Sequence, residues 1–168
     1  MQIDFTLRVD PDPILYQKLK DIDLEQHDLE MIEQAMIRLM NANNGIGISA
    51  NQVGFDQRVV VIKPKNKQPF ALFNPRIISF EEPNIQDQEG CLSFPDLYLP
   101  VKRYNSVTVE FIDKHKKSCT MLFEGYDAKC IQHEIDHLDG ICFTSKVSKL
   151  KLDLARKKQR KIKNGRTK

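Results

Sequence analysis

Gln132-His133-Glu134-Ile135-Asp136-His137 sets two imidazoles four residues apart with a carboxylate between them. On an α-helix that spacing stacks His133 and His137 one turn apart on one side, the pitch at which two ring nitrogens grip one divalent ion. Glu134 lies about 100° further round and reaches a water on that ion without being a ligand itself. Two core histidines satisfied by hydrogen bonds are the structural alternative. The flanking residues favour the ion. With His133 as zero, Tyr126, Cys130 and His137 fall within about 60° of it, and Ala128, Ile131, Ile135 and Leu138 fall between about 140° and 220°. The pattern predicts a helix that is apolar behind and chemical in front, capped at Asp127 and stopped near Gly140. Such a helix belongs at the centre of its domain, with the ion in a partly dry pocket.

Two histidines do not complete a site, because catalytic tetrahedral centres use three protein ligands and leave one position for water. No His or Glu follows His137. Asp139, Cys142 and Asp153 lie downstream; Cys91, Cys119, His115 and His27 lie upstream. Cys142 is five residues past His137, beyond Gly140, and Cys130 reads as pocket lining. Cys91 fits best, in Gln88-Glu89-Gly90-Cys91-Leu92-Ser93, where Gly90 allows close backbone approach and the flanks are polar. A buried structural thiol is the alternative there.

Further upstream, Gly45-Ile46-Gly47-Ile48-Ser49-Ala50-Asn51-Gln52 alternates small and apolar residues and ends on an amide. Gly45 and Gly47 let a backbone or ligand come close, and Gln52 can donate to a developing oxyanion. No Gly-x-x-x-x-Gly-Lys pattern is present, which argues against a nucleotide loop. An extended peptide can add as a strand beside Gly45–Ile48 and Gly90. An apolar slot for its side chain can draw on Tyr126, Cys130 and the stem of Lys129, with Ile46 opposite.

These three segments, in this order and spacing, resemble the three motifs of the peptide deformylases, and the likeness runs from about Ile14 to Ser145. The resemblance implies hydrolysis of the N-terminal formyl-methionine of nascent polypeptides, with formate as product. It also implies Fe2+ as the cellular metal and the Leu92 backbone N–H as a second oxyanion donor. Cys91, His133 and His137 suit Zn2+, Ni2+ or Co2+ as well. The sequence departs from the family pattern at Asn44, Ser49 and Tyr98, and at Tyr126 and Lys129, where the pocket helix is usually aliphatic.

The remaining chain predicts an α+β fold, with antiparallel β-sheets wrapped around the central metal-binding helix, an N-terminal helix and a basic C-terminal helix. The first helix is expected over Asp28–Met40, burying Leu29, Ile32, Met36 and Leu39. Strands are expected at Arg58–Ile62, Phe70–Phe73, Ser106–Ile112 and Ser118–Phe123, with Pro64, Asn66, Pro75, Pro83 and Pro95 marking loops. No apolar run approaches the roughly 18 residues of a membrane span, and Met1-Gln2-Ile3-Asp4 is not a signal peptide. Four irregularly spaced cysteines then read as reduced thiols in a cytoplasmic protein, expected to be a monomer.

Charge divides the 168-residue chain into a catalytic domain, residues 1–145, and a basic tail, residues 146–168. The tail carries eleven Lys/Arg against Asp153 alone, net +10, while the 15 basic and 22 acidic residues before it give −7. Leu150 and Leu154 form a thin apolar stripe on a helix expected after Ser148. Such a tail attracts polyanions, and the resemblance implies docking on ribosomal RNA near the exit tunnel. Two other classes share parts of the pattern: a metallopeptidase cutting internal amides, and a non-catalytic RNA binder whose ion has four protein ligands.

Overall fold

The computed structural model describes residues 3–166. Its backbone is an antiparallel meander of five strands in the order β1-β2-β3-β4-β5. These are Gly47–Ser49 (β1), Val59–Ile62 (β2), Phe70–Cys91 (β3), Phe94–Ile112 (β4) and Ser118–Glu124 (β5). Three helices join them: Leu29–Ala42 (α1), Gly125–Leu138 (α2) and Lys149–Arg166 (α3). The α+β architecture anticipated from the sequence is present.

The strand bounds need one large correction. The stretch containing Pro75, Pro83 and Pro95, expected as loops, is a long hairpin of β3 and β4, with Glu89 opposite Leu99 and Phe80 opposite Val107. Proline lacks the N–H a ladder needs, and here the register slips where the prolines fall, between Phe73 and Arg76 and between Glu81 and Asn84. The sheet absorbs Pro75 and Pro83 as irregularities instead of stopping. Pro95 stands one residue into β4, just past the turn that follows Cys91.

Helix α1 begins as the sequence indicates: the Asp28 carboxylate accepts from the Met31 N–H at 3.0 Å. Its apolar side buries Leu29, Ile32, Ala35, Met36 and Met40, while Leu39 is only partly covered. Glu33 lies on that buried side because its Oε2 accepts from the Ala71 N–H at 2.9 Å and its Oε1 pairs with Lys114 at 2.8 Å. All four residues of β2 are buried, the mark of a strand covered on both faces.

Helix α2 buries Ala128, Ile131, Ile135 and Leu138 in the main core, as its wheel indicates. It does not start at Asp127. Gly125, at φ +56°, turns the chain straight out of β5 into the helix, with Glu124 at the N-cap position, and Asp127 instead accepts from the Lys65 N–H. The C-terminus is held from two directions. Asn51 Nδ2 donates to the His137 carbonyl at 2.7 Å. The buried guanidinium of Arg58 donates to the Leu138 carbonyl and to Asp139, adding positive charge where the helix dipole is negative.

A second apolar cluster, with Leu15, Phe94, Leu97, Leu99, Val101 and Phe143, receives Leu152 and Ala155 from α3. Gln159 donates to the Pro95 carbonyl at 2.6 Å and Arg156 pairs with Asp10 at 3.1 Å. The docking side of α3 is therefore Leu152, Ala155, Arg156 and Gln159. The Leu150 and Leu154 stripe faces outward, 69% and 60% exposed. No helix among the described residues is long and apolar enough to cross a membrane.

Candidate metal centre

Cys91, His133 and His137 converge where the two cores meet. His137 Nε2 lies 3.2 Å from His133 Nε2 and 3.3 Å from the Cys91 sulfur, and all three donor atoms fall within 4.8 Å of one another. The histidines come from one face of α2 and the cysteine from the last residue of β3. His137 is fully buried and His133 is 8% exposed. The other candidate ligands lie elsewhere. Asp139 pairs with Arg58, His27 packs against the Phe55 ring, His115 sits in an exposed turn, Cys119 lies on β5, and Cys142 bonds to the Leu15 carbonyl in the second core. Asp153 is exposed on α3. All four thiols are free, as expected of reduced cysteines.

The donor set suits a dication. Glu89 Oε2 lies 3.0 Å from His133 Nδ1, a contact that would hold the ring proton on that nitrogen and leave Nε2 for an ion beside Cys91 and His137. Burial opposes charge on His133, but hydrogen bonds to Cys91 and Glu89 outweigh it and raise its pKa well above the ordinary imidazole value. Burial and the neighbouring His133 hold His137 well below that value. A divalent ion accepts bare nitrogens from both rings and compensates the sulfur and carboxylate charge nearby. Thiolate with two imidazoles fits iron, zinc, cobalt or nickel.

Burial pushes Glu134, 5% exposed, up to about 7. Its Oε2 is buried without a hydrogen-bond partner, a costly state unless a ligand atom supplies one. Gly47 makes room for it: a Cβ there would stand 2.5 Å from Glu134 Oε1 and 2.7 Å from the Cys130 sulfur. Close approach at Gly47 thus serves a catalytic candidate on α2. Cys130 contacts the Ile46 carbonyl at 3.6 Å, and burial raises its pKa far enough to keep it a thiol.

Gln52 is buried beside the Cys91 sulfur. Its Oε1 accepts from the Ser49 N–H at 2.9 Å, which fixes the amide orientation because that backbone group can only donate. Its Nε2 therefore points at Ser93 Oγ, 3.0 Å, and the Cys91 sulfur, 3.4 Å. Leu92 follows Cys91 in the turn before β4, with its side chain against Gly45. Tyr98 lies over Gly90. Ile46 and Tyr126 are 39% and 60% exposed, and a groove of about 1000 Å3 opens beside them and Gly45. Lys129 pairs with Asp87 at 2.9 Å.

Four supporting residues escaped the sequence reading. Glu89 accepts from Arg103 at 2.7 and 3.0 Å, Arg103 also pairs with Asp136, and Asp136 pairs with Lys146 at 2.8 Å. Burial alone raises the Glu89 pKa, yet the bonds to His133 and Arg103 bring it down to about 2. Strand alternation was the available signal, because Glu89 and Cys91 are two residues apart and share a face. Asn51 is the fourth, holding the last turn of α2.

Comparison with known proteins points to one family. The polypeptide deformylase family model matches residues 5–153. The chain is 37% identical over 148 residues to the peptide deformylase of Rhizobium meliloti (strain 1021), covering 86% of this chain and 85% of that one. To the enzyme of Agrobacterium fabrum (strain C58) it is 40% identical over 154 residues, covering 88% and 89%. The crystal structure of a peptide deformylase from Legionella pneumophila superposes with a TM-score of 0.88 at 32% identity, covering 99% of each chain. That of a peptide deformylase from Synechococcus elongatus in complex with actinonin gives 0.86 at 34%, covering 92% of this chain and 87% of that one. The chain belongs to the polypeptide deformylase family, metal-dependent hydrolases that remove the formyl group from the N-terminal formyl-methionine of nascent polypeptides.

Proposed function

We propose that Cys91, His133 and His137 hold one divalent ion, Fe2+ in the cell, and that residues 1–145 form the catalytic unit. The observation that carries this reading is the convergence of three donors within 4.8 Å beside the unpartnered Oε2 of Glu134. A bound divalent ion supplies Lewis acidity toward a carbonyl oxygen and acidifies water toward a pKa of about 7. Zn2+, Ni2+ and Co2+ suit the same donors, and supply decides among them.

Glu134 takes the proton of the attacking water and delivers it to the departing amine, its Oε2 being buried beside the three donors with no protein partner of its own. Gln52 Nε2 and the Leu92 N–H donate to the carbonyl oxygen as its charge grows; one such donor is typically worth roughly 3–4 kcal/mol. Glu89 keeps the His133 ring oriented. The peptide lies extended between Gly45–Gly47 and Gly90, through main-chain bonds indifferent to sequence. Ile46, Tyr126, Lys129 and Cys130 line the slot for its first side chain. The test is a formyl-methionyl tripeptide incubated with Fe2+-loaded protein under anaerobic conditions. Formate and an otherwise intact peptide are expected; cleavage of the backbone would instead identify a metallopeptidase.

We further infer that residues 146–168 attach this cytoplasmic enzyme, acting as a monomer, to ribosomal RNA. Support comes from the eleven cations of this segment and from Leu150 and Leu154, which stand exposed among them. Exchanging Lys157, Lys158, Arg160 and Lys161 for glutamate should abolish co-sedimentation with ribosomes while turnover of a free formyl-peptide changes by less than about twofold, since electrostatic attraction dominates such binding. Unchanged sedimentation would remove this attachment.

A further inference from the structure

Asp87 and Glu89 are two residues apart on β3 and therefore point the same way. They meet side chains four residues apart on α2: Glu89 Oε2 lies 3.0 Å from His133 Nδ1, and Asp87 Oδ2 lies 2.9 Å from Lys129 Nζ. Two strand residues advance about 6.8 Å and four helical residues about 6 Å, so strand and helix run in step. The contacts form a ladder along the front of α2. Its first rung fixes an expected metal ligand. Its second, one turn towards the helix N-terminus, is a salt bridge with the lysine side chain 14% exposed and the carboxylate 54% exposed. Across from it lie Ile46 and the start of β1, with the Ile46 carbonyl on the Cys130 sulfur and Gly47 against Glu134.

A peptide whose carbonyl lies by Glu134 and Gln52, extended between β1 and β3, sends its first side chain along this stripe of α2. We propose that the Asp87–Lys129 ion pair is a wall of that slot and sets side-chain selectivity. Beside formyl-methionine, the pair admits formyl peptides whose first side chain has methionine's length and a polar end, oxidised methionine among them. An amide or sulfoxide oxygen accepts from Lys129 Nζ, and an amide N–H donates to Asp87. A hydrocarbon chain covers both charged groups and gives them no hydrogen bond in return, which costs binding. This inference rests on the reading of Lys129 and Tyr126 as slot residues.

The test compares kcat/KM for formyl-norleucyl, formyl-glutaminyl and formyl-glycyl peptides on the metal-loaded full chain. In the Asp87→Ile/Lys129→Ile variant the norleucine-to-glutamine ratio should rise at least about tenfold, the scale on which one slot contact discriminates. The formyl-glycyl rate, which needs no slot, is the reference against which changes in the other two are read. The reversed pair, Asp87→Lys/Lys129→Asp, should restore the parental ratio. Should the double variant fail to fold, Lys129→Met is read by the same ratio. A ratio that does not move, or an equal loss with all three peptides, overturns the proposal while formate release by the parent protein keeps the assigned reaction standing. A parent inactive on all three peptides removes that reaction and the slot with it.

Discussion

Glu134→Gln is expected to lower formate release by about 10³-fold, within the range for loss of a general acid–base group, while leaving metal content unchanged. The same substitution should stabilise the metal-free fold above neutral pH. Burial raises the Glu134 pKa from 4.5 to about 7, so the folded state binds that proton more tightly than the unfolded chain does. The resulting stabilisation is complete below pH 4.5 and disappears as pH rises through about 7. Across that window the parent should lose about 3 kcal/mol that glutamine, having nothing to ionise, retains. Urea denaturation of both proteins with chelator present, at pH 5 and pH 8, checks this. Equal pH dependence in the two would mean that the carboxylate is ionised at no cost in the folded state. The catalytic candidate is thus also a site of stored instability, relieved in the working enzyme by the positive charge beside it.

Cys91→Ser should have its largest effect on metal retention. The substitution replaces an ionisable sulfur by a hydroxyl that stays neutral at pH 7, leaving two imidazoles to hold the ion. Removing an outer partner such as Glu89 typically costs about 10–100-fold in metal affinity, and loss of a donor should cost considerably more. Dialysis against a competing chelator, followed by metal analysis, separates the three proteins. The parent should keep about one ion per chain, Glu89→Gln should lose it at lower chelator concentration, and Cys91→Ser should be empty first. Retention by Cys91→Ser equal to the parent would mean that the sulfur is no ligand.

Which parts of this molecule are legible in the sequence depends on the range of the interactions that set them. Helix α2 is readable because both its faces carry local periodic signals: Ala128, Ile131, Ile135 and Leu138 behind, His133 and His137 in front. Helix α1 is readable from its apolar stripe of Leu29, Ile32 and Met36. The β3–β4 hairpin is not, because Pro75 and Pro83 break the alternation that announces a strand, and the irregularities accommodating them exist only in the paired structure. Glu89, Arg103 and Asp136 are invisible for a related reason. Their partners lie 14, 33 and 44 residues away, so an ionic network reads as scattered surface charge. The tail shows both cases. Its charge is a matter of composition, but the docking of Leu152, Ala155, Arg156 and Gln159 depends on a surface built by Phe94, Pro95 and Asp10. Leu150 and Leu154, the more conspicuous pair in the sequence, face away.

X-ray absorption at the metal edge of protein loaded with Fe2+ or Zn2+ addresses the ligand set directly. One sulfur at about 2.3 Å, two imidazole nitrogens at about 2.0–2.1 Å and the remaining scattering from oxygen are expected if Cys91, His133 and His137 hold the ion with a position open to solvent. A shell without sulfur, or four protein donors closing that position, would contradict it.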